Sequence, residues 1–190
     1  MFARVMFTFK HAIIYRKNLQ KLQSESSIFS IDWRRLYDSG IRVVVLDFDG
    51  VLAADHEEVV SPQVGEVLEN ILMIFGRRVY IFSNRPTDSR RDYFKKHFPG
   101  ICFLIAKQKP YPDGLLSIIT AENVSAGQVV LVDDRLLTGG LATVLAGTHC
   151  IIIDKPFASF RRHLWRELFF ASLRSVERFW CHKKASIKTP

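Results

Sequence analysis

The chain has 190 residues, 48% of them hydrophobic, which suits one globular domain with a sizeable core. Its net charge of +8 favours anionic partners, and Cys102, Cys150 and Cys181 lie too far apart for a paired zinc spacing or a disulfide framework, reading instead as thiols of a reducing compartment. No segment offers 18 uninterrupted apolar residues, which argues against a membrane-spanning helix, and no internal repeat is visible.

In chain order, Phe2, Val5, Met6, Phe9 and Ile13 recur at helical spacing beside Arg4, Lys10, Arg16 and Lys17, with no acid before Glu25. Such a segment suits an interfacial helix on anionic lipid or an organellar transit peptide. Residues 41–46 form a β-branched apolar run that predicts a strand buried on both faces, and it ends in Asp47-Phe48-Asp49-Gly50. Ser61 and Pro62 open a helix predicted through Phe75 and stopped by Gly76. A second strand, 78–82, runs into Ser83-Asn84-Arg85-Pro86, and a helix over 87–98 stops at Pro99-Gly100. A third strand over 102–106 precedes the loop Lys109-Pro110-Tyr111-Pro112-Asp113-Gly114 and a helix over 115–121. The fourth strand, 129–132, runs into Asp133-Asp134; a helix over 140–146 and a fifth strand over 150–153 follow. Beyond Asp154, Phe157, Phe160, Leu164, Trp165, Leu168, Phe169, Leu173, Val176, Phe179 and Trp180 alternate with Arg161, Arg162, Arg166, Arg174 and Arg178. That pattern fits a helix lying on a membrane surface or one packed on the sheet with its cations in water.

Alternation of strand and helix predicts an α/β domain, a doubly wound parallel sheet of about five strands over 41–154, between amphipathic flanks at 1–40 and 155–190. The flanks carry the basic excess: seven Lys/Arg against three Asp/Glu in the first and nine against two in the second, while the middle has eleven against fourteen. About ten residues separate Leu52 from Ser61 and about 24 separate Arg85 from Lys109, too few for a separate lid, so no cap domain is expected.

Eleven aspartates in 190 residues give about 0.6 Asp-x-Asp pairs by chance, so Asp47 and Asp49 mean little as a bare pattern. Their place at the carboxyl end of a strand carries the argument, because open α/β sheets present functional groups there. Ser83, Lys109 and the Asp133-Asp134 pair occupy equivalent ends, although singly they read as a helix cap, a surface charge and a solvated turn.

In this order the residues resemble the four motifs of the haloacid dehalogenase superfamily of phosphohydrolases, over about residues 41–154. Asp47 and Asp49 match the first motif, Ser83 the second, Lys109 the third and Asp133-Asp134 the fourth. The resemblance implies a Mg2+-dependent phosphatase. Asp47 is the nucleophile that forms an aspartyl-phosphate, and Asp49 the acid and base for leaving group and water. Ser83 and Lys109 hold the phosphoryl group, and Asn84 contributes through backbone geometry. The metal falls to Asp47, the backbone carbonyl of Asp49 and one of the two fourth-motif aspartates, with Asp134 chosen as the ligand and Asp133 as its support.

Within the superfamily the chain resembles the capless branch that contains phosphatidylglycerophosphate phosphatases, through Trp33-Arg34-Arg35-Leu36-Tyr37-Asp38-Ser39-Gly40-Ile41, Lys109-Pro110 and Asp134-Arg135-Leu136-Leu137-Thr138. It departs where that branch usually has asparagine at position 50, glycine at 133 and an acid at 139; here stand Gly50, Asp133 and Gly139. An open site implies a bulky phosphorylated substrate, such as a phospholipid head group at an anionic membrane. The location implied is cytoplasmic at the inner membrane face, or the mitochondrial matrix. The rival readings are a phosphatase of phosphoproteins or nucleotide ends and a binding protein without turnover; no nucleic-acid-binding fold is recognisable.

Overall fold

A computed structural model describes residues 2–104, 108–158 and 160–182, with backbone alone for Phe2, for residues 160–164 and for Arg166, Glu167, Phe170 and His182. Six strands form one parallel sheet: β1 (Gln23–Glu25), β2 (Val43–Leu46), β3 (Val79–Ile81), β4 (Ile101–Phe103), β5 (Val129–Asp133) and β6 (His149–Ile153), in the order β1-β6-β5-β2-β3-β4. The helices are α1 (Phe2–Ile14), α2 (Arg16–Leu19), α3 (Trp33–Asp38), α4 (Pro62–Phe75), α5 (Asp88–His97), α6 (Asp113–Glu122), α7 (Leu141–Ala146) and α8 (Phe160–His182).

Every residue of β2 is buried because helices cover both faces of the sheet. Val44 and Leu46 point into a cluster with Val64, Leu68 and Ile71 of α4 and Phe94 of α5; Val43 and Val45 point the other way, onto Leu115 and Ile118 of α6 and Ala142 and Ala146 of α7. Local chemistry sets the helix ends as expected. Ser61 Oγ caps α4 by accepting from the Val64 amide at 3.3 Å, and Thr87 Oγ1 caps α5 by accepting from the Arg90 amide at 3.2 Å.

The strand order reverses between β2 and β5, the switch point where such sheets open a crevice. Leu46 pairs with Ile81 on one side and Val132 on the other, so the carboxyl ends of β2, β3 and β5 stand level. Between Leu46 and α4, residues 47–61 make turns and one isolated bridge, Asp49 with Ala53.

Three elements differ from expectation. The sheet has six strands because Gln23–Glu25 joins its edge, pairing with Ile151–Ile153 of β6. Gln-Ser-Glu has no apolar alternation; the pairing is made by backbone groups, and an edge position asks little of the side chains. The helix expected from 140 begins at Leu141, after a π-helical turn over Leu136–Gly140. Lastly, Trp33–Asp38 is helical, capped by the Asp32 carboxylate, which accepts from the Arg35 amide at 2.9 Å.

Both flanks have a buried side. Ala12 and Leu19 from the first and Cys181 from the second pack with Leu136, Leu141, Cys150 and Ile152. The predicted end of the third strand at Ala106, the side chains of Phe160, Arg161, Arg162, Leu164 and Arg166, and the tail over 183–190 lie outside the described residues. Among those described, no helix is long and apolar enough to cross a membrane.

Candidate active site

Three strand ends and one loop bring the expected residues together. Asp47 follows β2, held by its amide donating to Val132 O at 2.9 Å, and its Oδ1 accepts from the Phe48 amide at 2.8 Å. Lys109 Nζ reaches Asp47 Oδ1 at 2.9 Å and Asp133 Oδ2 at 2.5 Å from a side chain that is 2% exposed. The loop carrying Lys109 is tied to the end of β3 by Asn84, whose Oδ1 accepts from the Lys109 amide at 2.8 Å while its Nδ2 donates to Lys109 O at 3.2 Å. Asn84 therefore acts here through its side chain, as a clamp on the lysine backbone.

A cavity of about 160 Å3 opens over this cluster, lined among others by Asp47, Asp49, Asn84, Lys109, Asp134 and Arg174. Ser83 stands behind it: the residue is 1% exposed and its Oγ accepts from the Arg85 amide at 3.1 Å. Asp49 reaches the cavity with its carboxylate held by Arg90, whose Nη2 and Nη1 donate to Oδ1 at 2.7 Å and to Oδ2 at 3.2 Å. Arg90 is itself buried, donates to Glu57 O and Arg85 O, and stacks 3.9 Å from the centre of the Phe48 ring.

The two fourth-motif aspartates have different surroundings. Asp133 is fully buried, with Oδ2 taken by Lys109 and Oδ1 accepting from the Arg135 amide at 2.9 Å. Asp134 lines the cavity, and its Oδ2 accepts from Arg174 Nη1 of α8 at 2.9 Å. The backbone just after Asp49 leaves Asp134 no spare room. Gly50 has φ +85°, and a Cβ there would lie 2.7 Å from Asp134 Oδ2, so this turn takes glycine.

Burial pushes the Asp47 carboxyl well above the usual carboxylate range, Lys109 opposing and the neighbouring aspartates adding to it. Burial, then repulsion from Asp133, pushes Asp134 up to about 7, against the pull of Arg174. Burial alone would lower the Lys109 ammonium, but Asp133 and Asp47 more than reverse this and keep it protonated. Oxygens from Asp47, Asp133 and Asp134 lie within 4.8 Å of one another, an all-carboxylate donor set suited to a hard divalent cation such as Mg2+. Cationic groups already sit against all three, so the cluster is built around positive charge.

Sequence reasoning missed Arg90, Arg174 and Glu177. Glu177 is buried and binds Arg135, Nε donating to Oε1 at 2.8 Å, while its Oε2 accepts from the Leu137 amide at 3.3 Å. One signal was present for Glu177: it is one of two acids in a flank of nine cations. Arg90 and Arg174 sit in stretches rich in arginine, and nothing local sets them apart.

A family model described as mitochondrial PGP phosphatase matches residues 8–158. The chain belongs to the mitochondrial PGP phosphatase family. The match takes in the strand ends and motif residues of the cavity, so this member of the PGP phosphatase family is a phosphatase and acts on a phosphorylated substrate. Its fold is similar to that of an uncharacterized protein from Listeria monocytogenes serotype 4b, with a TM-score of 0.51 at 15% identity over 64% of this chain and 84% of that one. A predicted phosphoglycolate phosphatase from Haemophilus somnus 129PT aligns with a TM-score of 0.49 at 12% identity, covering 63% of this chain and 88% of that one. A haloacid dehalogenase family enzyme from Bacteroides thetaiotaomicron, in complex with magnesium and inorganic phosphate, aligns with a TM-score of 0.45 at 15% identity, covering 67% and 100%. Comparison with curated proteins returns no match.

Proposed function

We propose that this PGP phosphatase family member is a Mg2+-dependent phosphomonoesterase that works through an aspartyl-phosphate on Asp47, on an open, capless site at an anionic membrane surface. The observation that carries the chemistry is the buried cluster in which Lys109 bridges Asp47 and Asp133 while Asp134 faces the cavity. A phosphate monoester is an anion, so a carboxylate can attack it only where the charge on the phosphoryl oxygens is offset. Asp47, Asp134 and the Asp49 backbone carbonyl would hold Mg2+, which when bound supplies that offset.

Asp47 attacks phosphorus and the alkoxide leaves; Asp49 gives that oxygen a proton and later takes one from the water that hydrolyses the intermediate. Lys109 neutralises charge shared by nucleophile and phosphate, and Asn84 keeps it in place. Ser83 orders the turn by accepting from Arg85, and a rotation of its hydroxyl turns a hydrogen bond toward the phosphoryl oxygens. Asp133 sits out of the cavity with both oxygens engaged, which favours Asp134 as the direct metal ligand and Asp133 as the anchor of Lys109.

The membrane reading is supported by the outer faces of α1 and α8. Met6, Ile13 and Ile14 on the first and Trp165, Leu168 and Phe179 on the second are exposed apolar residues on strongly basic flanks. Between these helices a groove of about 500 Å3, lined by Val5, Phe9, Leu173, Val176 and Trp180, runs to Lys109 and Thr138. A large amphiphile, such as phosphatidylglycerophosphate, fits a groove that is apolar along its length and cationic at its inner end.

Purified protein is expected to hydrolyse an aryl phosphate only with Mg2+, and Asp47→Asn to remove that activity; undiminished turnover by this variant would sink the mechanism. A panel of lipid, nucleotide, sugar and peptide phosphates then ranks substrates, and preference for a soluble nucleotide or peptide would reject the lipid reading.

A further inference from the structure

We infer that Arg174, from the C-terminal helix, is a substrate-binding residue whose guanidinium passes from Asp134 to the substrate phosphate once a divalent cation takes the Asp134 carboxylate. The inference rests on the metal-dependent phosphatase reading and adds a binding residue from outside the four motifs.

Among the described residues, three arginines line the catalytic cavity: Arg85, Arg135 and Arg174. Arg85 is held at the rim by Asp55 at 2.6 Å and by His56 at 2.7 Å. Arg135 is held by Glu177, whose side chain is 6% exposed and also accepts from the Leu137 amide. Neither of those counter-ions belongs to the acidic cluster, so metal binding leaves both pairs intact. Arg174 differs because its counter-ion is Asp134, a member of that cluster.

Charge balance sets where Arg174 turns next. Counted in the ionised form that a metal selects, Asp47, Asp49, Asp133 and Asp134 are met by Lys109, Arg90 and Arg174, leaving one negative charge in excess. A divalent cation turns this into one positive charge, and the excess sits where Arg174 has lost its partner to a stronger cation. The Arg174 side chain is 13% exposed, too enclosed for water alone to solvate its charge well, so an anion in the cavity is its best remaining partner. A phosphate offers the oxygens that a guanidinium fork matches.

Arg174 is also well placed to be precise. The pair of Arg135 with Glu177, one helical turn further along α8, fastens that helix to the loop that carries Asp134, so the guanidinium and the fourth motif share one anchor. Metal and phosphate therefore bind cooperatively, each raising the affinity for the other.

The test compares wild type with Arg174→Met and Arg174→Lys, by calorimetry with Mg2+ alone and then with inorganic phosphate at saturating Mg2+. Arg174→Met should bind Mg2+ at least as tightly as wild type, because a competing cation is gone. It should bind phosphate about tenfold or more weakly, and its KM for an aryl phosphate should rise by more than its kcat falls. Arg174→Lys, which keeps the charge without the fork, should fall between the two. Unchanged phosphate affinity in Arg174→Met would overturn the inference, and so would weaker Mg2+ binding, which would make Arg174 a support for the metal ligand. Thermal melts of both variants check the fold; should Arg174→Met fail to fold, Arg174→Lys decides the matter, and wild-type phosphate affinity in that variant would count against the fork. Failure of wild type to bind Mg2+ at all would reject the underlying reading instead.

Discussion

Arg90 grips both carboxylate oxygens of Asp49 in a fork, at 2.7 and 3.2 Å, while its own ring of contacts to Glu57 O, Arg85 O and Phe48 leaves it 1% exposed. The guanidinium has no freedom to follow a moving carboxylate, so it fixes where Asp49 stands over the cavity. Arg90→Lys keeps a positive charge but loses the planar fork. If Asp49 passes the proton to the leaving oxygen, the loss must depend on how much that oxygen needs one. Turnover of an alkyl phosphate should fall about tenfold or more, and that of 4-nitrophenyl phosphate, whose leaving group departs as a stable anion, by much less. Equal losses on both substrates would remove Arg90 from the proton-transfer step.

Asp133 and Gly139 occupy the same space. A Cβ on Gly139 would lie 2.2 Å from Asp133 Cγ, so position 139 has no room for a side chain while residue 133 carries a carboxylate. The branch this chain resembles usually shows the reverse, glycine at 133 and an acid at 139, which makes the two departures one exchange. Asp133→Gly should strip Lys109 of its closest anion and lower kcat/KM by about a hundredfold, on the scale of a lost buried charge pair. Gly139→Asp alone should destabilise the fold through overlap and repulsion. The double variant should recover at least about tenfold over Asp133→Gly, since a carboxylate again reaches the same place. Steady-state kinetics on the three variants decide it, and a double variant no better than the worse single one contradicts the exchange.

As a proposed metal ligand, Asp134 would link Mg2+ binding to pH. Its carboxyl is pushed up to about 7 in the folded chain against an ordinary 3.8, chiefly by burial. Between these values the folded chain keeps a proton that the unfolded chain has released, so stability without metal should fall as pH rises from about 4 to 7 and then level off. Mg2+ binds the ionised form, so its apparent affinity should climb over the same range and its stabilising effect should be largest above pH 7. Urea midpoints at pH 5 and pH 8, with and without Mg2+, check both signs. A Mg2+ effect of equal size at the two pH values would separate Asp134 from the metal.

The parts legible in the sequence were those whose cause is local. Val43–Leu46 is apolar throughout and buried throughout, and Ser61, Pro62 and Gly76 bound a helix by their own backbone chemistry. Asp47, Lys109 and Asp134 were found because strand ends in a parallel sheet must converge, a rule of topology that needs only the order of elements. What escaped depends on pairing across the fold. Gln23–Glu25 becomes a strand through its neighbour β6, and no residue in it says so. Arg90 and Arg174 are ordinary members of basic stretches until Asp49 and Asp134, 41 and 40 residues away, single them out.

The α1 and α8 helices bury one side against the sheet and expose apolar residues on the other, so the proposed membrane contact can be tested on that exposed side. Trp165, 82% exposed on α8, is the outermost of three tryptophans: Trp33 is only 4% exposed and reports the core, and Trp180 lines the groove between α1 and α8, so the measurement is made in a Trp180→Phe background. Vesicles containing anionic phospholipid should shift its emission to the blue, and Trp165→Phe should abolish most of that shift. Raising salt to about 1 M, where the Debye length falls to about 3 Å, should weaken binding by screening the flank cations. Ile13→Glu removes an apolar side chain worth about 1.5–3 kcal/mol when buried, so it should lower vesicle affinity about tenfold or more. Hydrolysis of a soluble aryl phosphate should be unchanged in both variants, as neither residue lines the catalytic cavity. Vesicle binding that ignores salt and both substitutions would mean that the chain meets its substrate by another face.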